Sequence, residues 1–436
     1  MDISATDIAE RVGALGPASA YRVAFSGGPD SHALLHLLAT ARDRLSAPLS
    51  AIHVNHRMHA DADAWATHCQ AVCEALEIPL VALRVPEPPP PDAGETWARD
   101  WRYRLMADAL ASGEGLLTAH HQDDQAETVL LRLLRGSGVD GLVGIPRTRA
   151  LGKGWVGRPL LEIPRAAIAA YGCDHGLQSI DDPANHDRHA DRNWVRHDVL
   201  PTLVARWPRA VGTIARSGSL AGEAGASLGR YAVTLLRGMT DGERLDGDAL
   251  SCLADADQRL VLRHWLRQRG AALPDARQLE AGRRMLVYGA DDRMPVFHWP
   301  GGTVRRYRGW LSLEPAGEVP ARQVRSVQWL PETDLRLDHG WLRVTRGVGG
   351  VAPERLPPSG VIVALRQGGE RCRPAGRPTR PVKKLFQEAG VPPWQRQAWP
   401  ILMVGDAVAA VPGLCICEGF QAAPPDRGLH FHWDPD

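Results

Sequence analysis

Two short stretches hold most of the residues able to do chemistry. The first is Ser26-Gly27-Gly28-Pro29-Asp30-Ser31, set between an apolar run at 21–25 and a helix-like pattern at 31–40. A strand entering a glycine turn and then a helix makes an anion site, because free backbone N–H groups and the positive end of the helix dipole converge there. Gly27 and Gly28 allow close approach of a ligand and permit a positive φ. The lysine-bearing P-loop, Gly-x-x-x-x-Gly-Lys-Ser/Thr, is excluded, since no lysine follows the glycines. The second stretch is His120-His121-Gln122-Asp123-Asp124-Gln125-Ala126-Glu127-Thr128. Adjacent carboxylates after paired histidines exceed what a helix N-cap needs, although either aspartate could serve as one. Arg99 and Arg102, at i and i+3, point to one side of a helix and could bind phosphate or pair with Asp123 and Asp124. Arg192 and Arg196 sit on a polar segment too poor in apolar residues to be core. His32 and His36 mimic a metal pair, but without a third ligand they read as a solvent-facing helix surface.

The elements that must carry these residues are legible from periodicity. Apolar runs at 49–54, 80–85 and 115–119 predict strands, and helical patterns over 61–77, 92–111 and 120–134 alternate with them. A further strand and helix are expected over 160–171. Such alternation implies right-handed βαβ units in a doubly wound parallel sheet, with ligands beyond the carboxyl ends of the strands. That arrangement brings 26–31, 53–57 and 120–124 around one crevice. Residues 207–284 are helical in pattern, and beyond Met294 the chain turns to short strands broken by glycine and proline. The expected organisation is an α/β domain at 1–205, a mainly helical connecting domain at 206–320 and a small α+β domain at 321–436.

Composition narrows the class. The chain has 436 residues, 44% hydrophobic and 23% charged, with a formal net charge of +1. Such a balance fits a multidomain soluble protein and leaves any nucleic-acid surface to a local patch. One such patch is visible: residues 361–400 hold six arginines and two lysines against two glutamates, a local charge of +6. Arg371, Arg373, Arg377, Arg380, Lys383 and Lys384 are its core, with Phe386, Trp394 and Trp399 interleaved. Basic residues mixed with aromatics suit RNA phosphates and unpaired bases. Seven scattered cysteines without Cys-x-x-Cys are expected to be reduced thiols, not disulfides or a zinc site. Cys69 and Cys73, at helical spacing with apolar neighbours, read as core. No leader or membrane span is visible, so a cytoplasmic protein is expected.

Ser-Gly-Gly-x-Asp-Ser resembles the pyrophosphate loop of the N-type ATP pyrophosphatases, the PP-loop superfamily. Taken with His-His-x-Asp-Asp-Gln-x-Glu-Thr, Ala98-Arg99-x-x-Arg102-Tyr103 and Arg132-x-x-Arg135-Gly136-Ser137-Gly138, the chain resembles the tRNA(Ile)-lysidine synthases within it. The resemblance is strong over about residues 20–200. It resumes at Arg371-Cys372-Arg373-Pro374 through Lys383-Lys384-Leu385-Phe386, so that 361–432 looks like that family's C-terminal domain. It implies a carbon–nitrogen ligase that joins L-lysine to C2 of the wobble cytidine of tRNA(Ile) bearing a CAU anticodon. The reaction consumes ATP with Mg²⁺, releases AMP and pyrophosphate, and changes the codon read from AUG to AUA. Ser26, Gly27, Gly28, Pro29, Asp30 and Ser31 would meet the ATP phosphates, and His53 ends the strand where adenine would lie. Asp30 repels phosphate, so it would act through Mg²⁺ or on the lysine amine; a helix cap is its plainer use. His120 would donate to phosphate or to leaving AMP, unless it is a buried structural histidine. Asp123 or Asp124 would meet the lysine, and Arg99, Arg192 and Arg196 would meet phosphates or tRNA. The basic C-terminal segment would bind the tRNA, and a homodimer is left open. A tRNA thiolase would call for cluster- or persulfide-forming cysteines, and a GMP or asparagine synthetase for a glutaminase unit. A non-catalytic RNA-binding protein on the same fold would have no use for an intact loop.

Overall fold

The computed structural model describes every residue except 1, 2, 92, 189, 290–293, 317–325, 424 and 436, and leaves out the side chains of 185 and 186. The chain forms two compact units, Met1–Tyr231 and Ala232–Asp436. The boundary expected at 320/321 lies outside the described residues. No helix among them is long and apolar enough to cross a membrane.

In the first unit a capped helix α1 (Ala5–Gly13) leads into alternating strands and helices. These are β1 (Tyr21–Ala24), α2 (Pro29–Thr40), β2 (Leu49–Asn55), α3 (Ala62–Ala75), β3 (Leu80–Arg84), α4 (Glu95–Ala109), β4 (Gly115–Leu117) and α5 (Gln122–Leu134). The sheet order is β3-β2-β1-β4, extended by β6 (Gly154–Gly157) and an antiparallel edge strand β5 (Thr148–Leu151) after the short α6 (Val139–Leu142). Parallel pairing of β1 with both β2 and β4 places Tyr21 opposite Leu49 and Gly115. Helices cover both faces, as the continuous apolar strands require. One face packs Val23, Phe25 and Leu117 against Leu34, Leu35 and Leu38 of α2 and Cys69 and Cys73 of α3. The other packs Ile52, Leu116 and Val156 against Met106 of α4. Burial pushes the Cys69 and Cys73 thiols up to about 12 and 11, so both are inert core groups.

Two expectations are corrected in this unit. Residues 160–164 form a turn, closed by Ile163 N–H donating to Leu160 C=O at 2.8 Å, and the next strand is β6 instead. The turn still buries Leu160 and Ile163, which is why its residues looked strand-like. The helix expected there is α7 (Arg165–Asp174). His32 and His36 do not face solvent. His32 is buried with Nδ1 2.8 Å from Gln178 C=O, and His36 Nδ1 lies 2.8 Å from the Tyr171 hydroxyl on α7.

A polar stretch then leads into one long helical segment: α8 (Asp191–Trp194), a turn of π-helix at Val195–Val199, and α9 (Leu200–Arg206). Helix α10 (Ala210–Leu236) follows.

In the second unit, β7 (Leu245–Asp246), α11 (Gly247–Ser251), α12 (Asp255–Gln268) and α13 (Ala276–Tyr288) precede β8 (Val296–Trp299), β9 (Gly302–Tyr307) and β10 (Trp310–Pro315). The four strands form one sheet, β7-β10-β9-β8, sharing a core with the helices through Leu262, Trp265, Phe297, Trp299 and Leu311. The change of texture at Met294 is therefore not a packing boundary. Beyond the undescribed residues come β11 (Ser326–Trp329), β12 (Leu335–Leu337), β13 (Gly340–Val348), β14 (Val361–Leu365), β15 (Arg371–Cys372) and β16 (Arg380–Pro381). Helix α14 (Val382–Glu388) and strands β17 (Pro400–Val404), β18 (Ala407–Val411), β19 (Cys415–Ile416) and β20 (Arg427–Pro435) complete the chain. Here β11-β14-β17-β18-β19 and β12-β13-β20 are antiparallel sheets.

Candidate active site

The glycine turn follows β1 directly, with Phe25 N–H still donating to Ile52 C=O at 2.9 Å. Gly27 has φ +84°, and a Cβ there would run into the Ile180 side chain. Ile180 N–H donates to Gly27 C=O at 2.9 Å, so this turn is braced from beneath. Gly28 is the N-cap of α2 and offers no side chain, and Pro29 starts the helix without losing a hydrogen bond. Asp30 is thus not the cap, and the N–H groups of the first turn keep their capacity to bind an anion. Ser31 is buried and braces the loop: its Oγ accepts from Ser26 N–H at 3.2 Å and donates to Gly28 C=O at 3.0 Å. Ser26 Oγ lies 3.1 Å from Ser31 Oγ but belongs to an exposed residue, so of the two serines Ser26 is the one presented outward.

Asp30 instead faces the start of α5. Its Oδ2 is 3.5 Å from Nε2 of His121, and Asp124 Oδ2 is also 3.5 Å from that nitrogen. Asp123 Oδ2 stands 3.9 Å from Nδ1. His121 is buried and is itself the N-cap of α5: Nδ1 accepts from Asp124 N–H at 3.4 Å, while Asp124 Oδ2 accepts from His121 N–H at 3.0 Å. Burial disfavours its charged form, but the hydrogen bond to Asp30 and the charges of Asp124, Asp30 and Asp123 outweigh this and raise its pKa. In the neutral form, Nδ1 as acceptor puts the proton on Nε2, toward the two carboxylates. Its neighbour His120 behaves oppositely. Burial first, then Arg158, Arg192 and Arg99 against the pull of Asp124, lowers it to about 3, and Nδ1 lies 2.8 Å from Thr118 Oγ1. His120 is a neutral imidazole at any physiological pH.

Asp124 and Glu127, at i and i+3 on α5, are bridged by two arginines from the α8 segment. Arg192 donates from Nε to Glu127 Oε2 and from Nη2 to Asp124 Oδ1, both at 2.8 Å. Arg196 donates from Nε to Glu127 Oε1 at 2.6 Å and from Nη2 to Asp124 Oδ1 at 3.0 Å. Glu127 is completely buried. Burial alone would raise the Asp124 pKa, but His121, Arg192, His120 and the backbone N–H hold it at about 2. Two carboxylates and two guanidinium groups thus neutralise each other inside the protein in fixed positions. Asp123 is spent differently: its Oδ2 accepts from Arg165 N–H at 2.8 Å, at the start of α7. Its side chain is 27% exposed against 10% for Asp124, so Asp123 is the more accessible of the pair.

Among the described residues neither Arg99 nor Arg102 pairs with Asp123 or Asp124: Arg192 and Arg196 occupy Asp124, and the Arg165 N–H occupies Asp123. Arg99 is exposed with its guanidinium 5.4 Å from the Tyr103 ring centroid, and its charge bears on His120. Burial, then Arg99, lowers the pKa of Arg102 against the pull of Tyr103, Glu95 and Asp182. Its buried Nε has no hydrogen-bond partner among the described residues. His53 is buried at the end of β2 with Nδ1 2.9 Å from Phe25 C=O, and its Nε2 is likewise unpartnered. Through Phe25, His53 lies next to the glycine turn, so its orphan nitrogen is one a ligand there could satisfy. An open cleft of about 450 Å³ adjoins α5, lined by Arg11, Gln122, Arg147, Arg158, Glu162 and Arg216.

The second unit carries the basic segment by itself. Arg371, Arg373, Arg377, Lys383 and Lys384 are exposed and Arg380 is half-buried. Arg373 pairs with Glu418 at 2.6 Å, and Arg377 and Arg380 share Glu388. The interleaved aromatics are mostly core: Phe386 is fully buried and packs edge-on against Trp399, whose Nε1 donates to Pro412 C=O. Arg396 is also structural, donating to Val391 C=O and the Tyr307 hydroxyl.

Comparison with known proteins shows the family of the chain. Residues 4–203 match a PP-loop domain model, 245–312 a TilS substrate binding domain and 361–433 a TilS substrate C-terminal domain. A tRNA(Ile)-lysidine synthase of Alkalilimnicola ehrlichii is 42% identical over 442 residues, covering 100% of this chain and 98% of its own. The chain belongs to the tRNA(Ile)-lysidine synthase family. A second member, from Methylococcus capsulatus, is 40% identical over 97% of this chain and 98% of its own. Among solved structures, the U34-tRNA thiolase NcsA from Methanococcus maripaludis with its [4Fe-4S] cluster is 17% identical at a TM-score of 0.41, covering 49% of this chain and 76% of that one. That likeness is too slight to carry an argument.

Within this family member, sequence reasoning overlooked His121 and Glu127. Both lie inside the quoted motif. The signal for Glu127 was its position three residues after Asp124, on the same helix face, opposite two arginines in need of partners.

Proposed function

We propose that the crevice at the carboxyl ends of β1, β2 and β4 binds ATP and lysine and converts the wobble cytidine of tRNA(Ile) with a CAU anticodon to lysidine. ATP-dependent lysidine formation is the activity of the family. The observation that carries the residue assignment is the convergence of Asp30 and Asp124, 94 residues apart, on one imidazole nitrogen at 3.5 Å each. That contact ties the phosphate loop to the carboxylate motif through His121.

The cytosine C2 oxygen is a poor leaving group until it carries a phosphoryl group. In the first step it attacks the α-phosphorus of ATP, and pyrophosphate departs. The N–H groups around Gly27, Gly28 and Asp30, with Ser26 Oγ, receive the β- and γ-phosphates; Pro29 sets the helix start and Ser31 holds the loop closed. Asp30 would hold Mg²⁺, which neutralises charge building on the pyrophosphate. Its carboxylate is partly exposed beside those N–H groups, a geometry that fits. Arg99 and Arg102 approach from α4, with His53 and the unpartnered Arg102 Nε on the nucleotide side. In the second step the lysine ε-ammonium gives up a proton to solvent, the neutral amine attacks C2, AMP leaves with the oxygen, and the second amine proton is released to solvent. Asp123, the accessible carboxylate, recognises the ammonium before the proton leaves. Asp124 is the positioning group that, with Glu127, fixes Arg192 and Arg196 beside the departing phosphates. His120, being neutral, is limited to hydrogen bonding.

In this reading residues 1–205 perform the ATP chemistry, 206–320 connect, and 321–436 hold tRNA through Arg371, Arg373, Arg377, Arg380, Lys383 and Lys384. The test is to incubate the protein with ATP, lysine and a CAU-anticodon tRNA(Ile) transcript. AMP release must require both lysine and that tRNA; release with either omitted would sink the assignment.

A further inference from the structure

Outside the crevice, three cysteines that are far apart in sequence come together in the second unit. The sulfur atoms of Cys372, Cys415 and Cys417 all lie within 4.8 Å of one another, and Cys372 and Cys415 are 3.9 Å apart. Cys372 and Cys417 are buried and Cys415 is half-buried. We propose that these three thiolates form a binding site for one soft divalent metal ion of the zinc class, with the fourth coordination position open to an external ligand. A tetrahedral zinc with sulfur at about 2.3 Å separates its sulfurs by roughly 3.8 Å, close to the distance already present between Cys372 and Cys415.

The backbone holds the site ready. Glu418 N–H donates to Arg373 C=O at 2.7 Å and Ala375 N–H donates to Ile416 C=O at 3.1 Å, which pins the 372–375 segment to 415–418. Val382, Leu385 and Phe386 pack in the same core as Cys372 and Cys417, so two of the ligands cannot swing away. The thiols lose their protons as the metal enters. Among the described residues no fourth histidine, cysteine or carboxylate joins the group, and the adjacent Glu418 is engaged by Arg373. A disulfide would join only two of the three sulfurs and would need them near 2 Å. Soft thiolates with no carboxylate select zinc over magnesium or calcium.

The test uses the full chain, purified under reductant without an affinity metal. Elemental analysis is expected to find one zinc per chain, and Co²⁺ added to the chelator-stripped protein is expected to give a thiolate charge-transfer band that saturates at one equivalent. Zn²⁺ should shield three of the seven thiols from titration. C372S and C415S should each weaken Co²⁺ binding by more than about 100-fold, while C173S and C252S, at exposed positions, leave it unchanged. Circular dichroism of each variant, with the intact chain's thiol shielding as a second readout, separates loss of a ligand from loss of fold. The proposal is overturned if Co²⁺ binding survives in C372S and C415S. It also fails if Zn²⁺ shields no thiols, or if the reduced protein takes up no metal and forms a Cys372–Cys415 disulfide in air.

Discussion

The two charged regions of this chain use the same residue types to opposite ends. In the crevice, Arg192, Arg196, Asp124 and Glu127 are paired by bonds of 2.6–3.0 Å and largely withdrawn from water. In the C-terminal segment, Arg371, Arg373, Arg377, Lys383 and Lys384 stand in solvent, and three of the segment's arginines share two glutamates. Buried, mutually oriented charges hold their geometry before substrate arrives, which is what stabilises a transition state. Exposed charges act by releasing counterions from a polyanion and tolerate loose geometry. The proposed function therefore assigns rate and folding to one region, and affinity and its dependence on salt to the other.

The sharpest way to break this contrast is Asp30→Ala. Ligation, followed as AMP release, is expected to fall by about 10³-fold or more, with tRNA affinity in a filter-binding assay nearly unchanged. A matching loss of tRNA binding would make Asp30 structural and erase the division. Next comes Glu127→Gln, which preserves shape but leaves two buried guanidinium groups facing one carboxylate. Denaturant unfolding should show a loss of about 3–5 kcal/mol; a change under 1 kcal/mol would mean that the network is dispensable. On the other side, the double variant Lys383→Ala/Lys384→Ala should leave stability within about 0.5 kcal/mol. It should reduce the slope of log affinity against log salt by about 2, at unchanged turnover with saturating tRNA. A last test concerns pH. Folded His120 titrates near 3 but near 6.5 when unfolded, so the unfolded state binds the extra proton between those values. Stability tied to it is full above about 6.5 and drains as pH falls toward 3. His120→Asn should flatten the stability curve in that window, measured by thermal unfolding; an unaltered curve would refute the burial of a neutral imidazole.

Much of the crevice was readable because its signals are local. Ser26 to Ser31 and His120 to Thr128 each combine a strand end, a turn and a helix start within a few residues. What escaped depends on direction or on distance along the chain. Adjacent histidines point different ways, so nothing in the pair His120-His121 told which one would meet Asp30. Ser31 looked like a phosphate ligand and is a brace, because a helix turns its third residue inward here. The edge hairpin β5–β6 is too short and too glycine-bounded to register as strands. Phe386 and Trp399 looked like base-stacking partners beside basic residues, yet a small antiparallel domain needs its aromatics for its own core. Cys372 meets Cys415 and Cys417 only through the fold, since 43 residues separate the first two.

The turn of π-helix at Val195–Val199 gives the arginine pair a phase. A wider turn amounts to one residue inserted into an α-helix, and each residue of an α-helix rotates the chain by about 100°. Deleting Val195 would restore regular winding with the helix beyond still in register, but would move Arg196 from four residues after Arg192 to three, a turn of about 100°, while leaving composition and charge almost untouched. The site is thus keyed to a count of residues as much as to their identity, and a one-residue deletion here would be read by the carboxylates as the loss of an arginine.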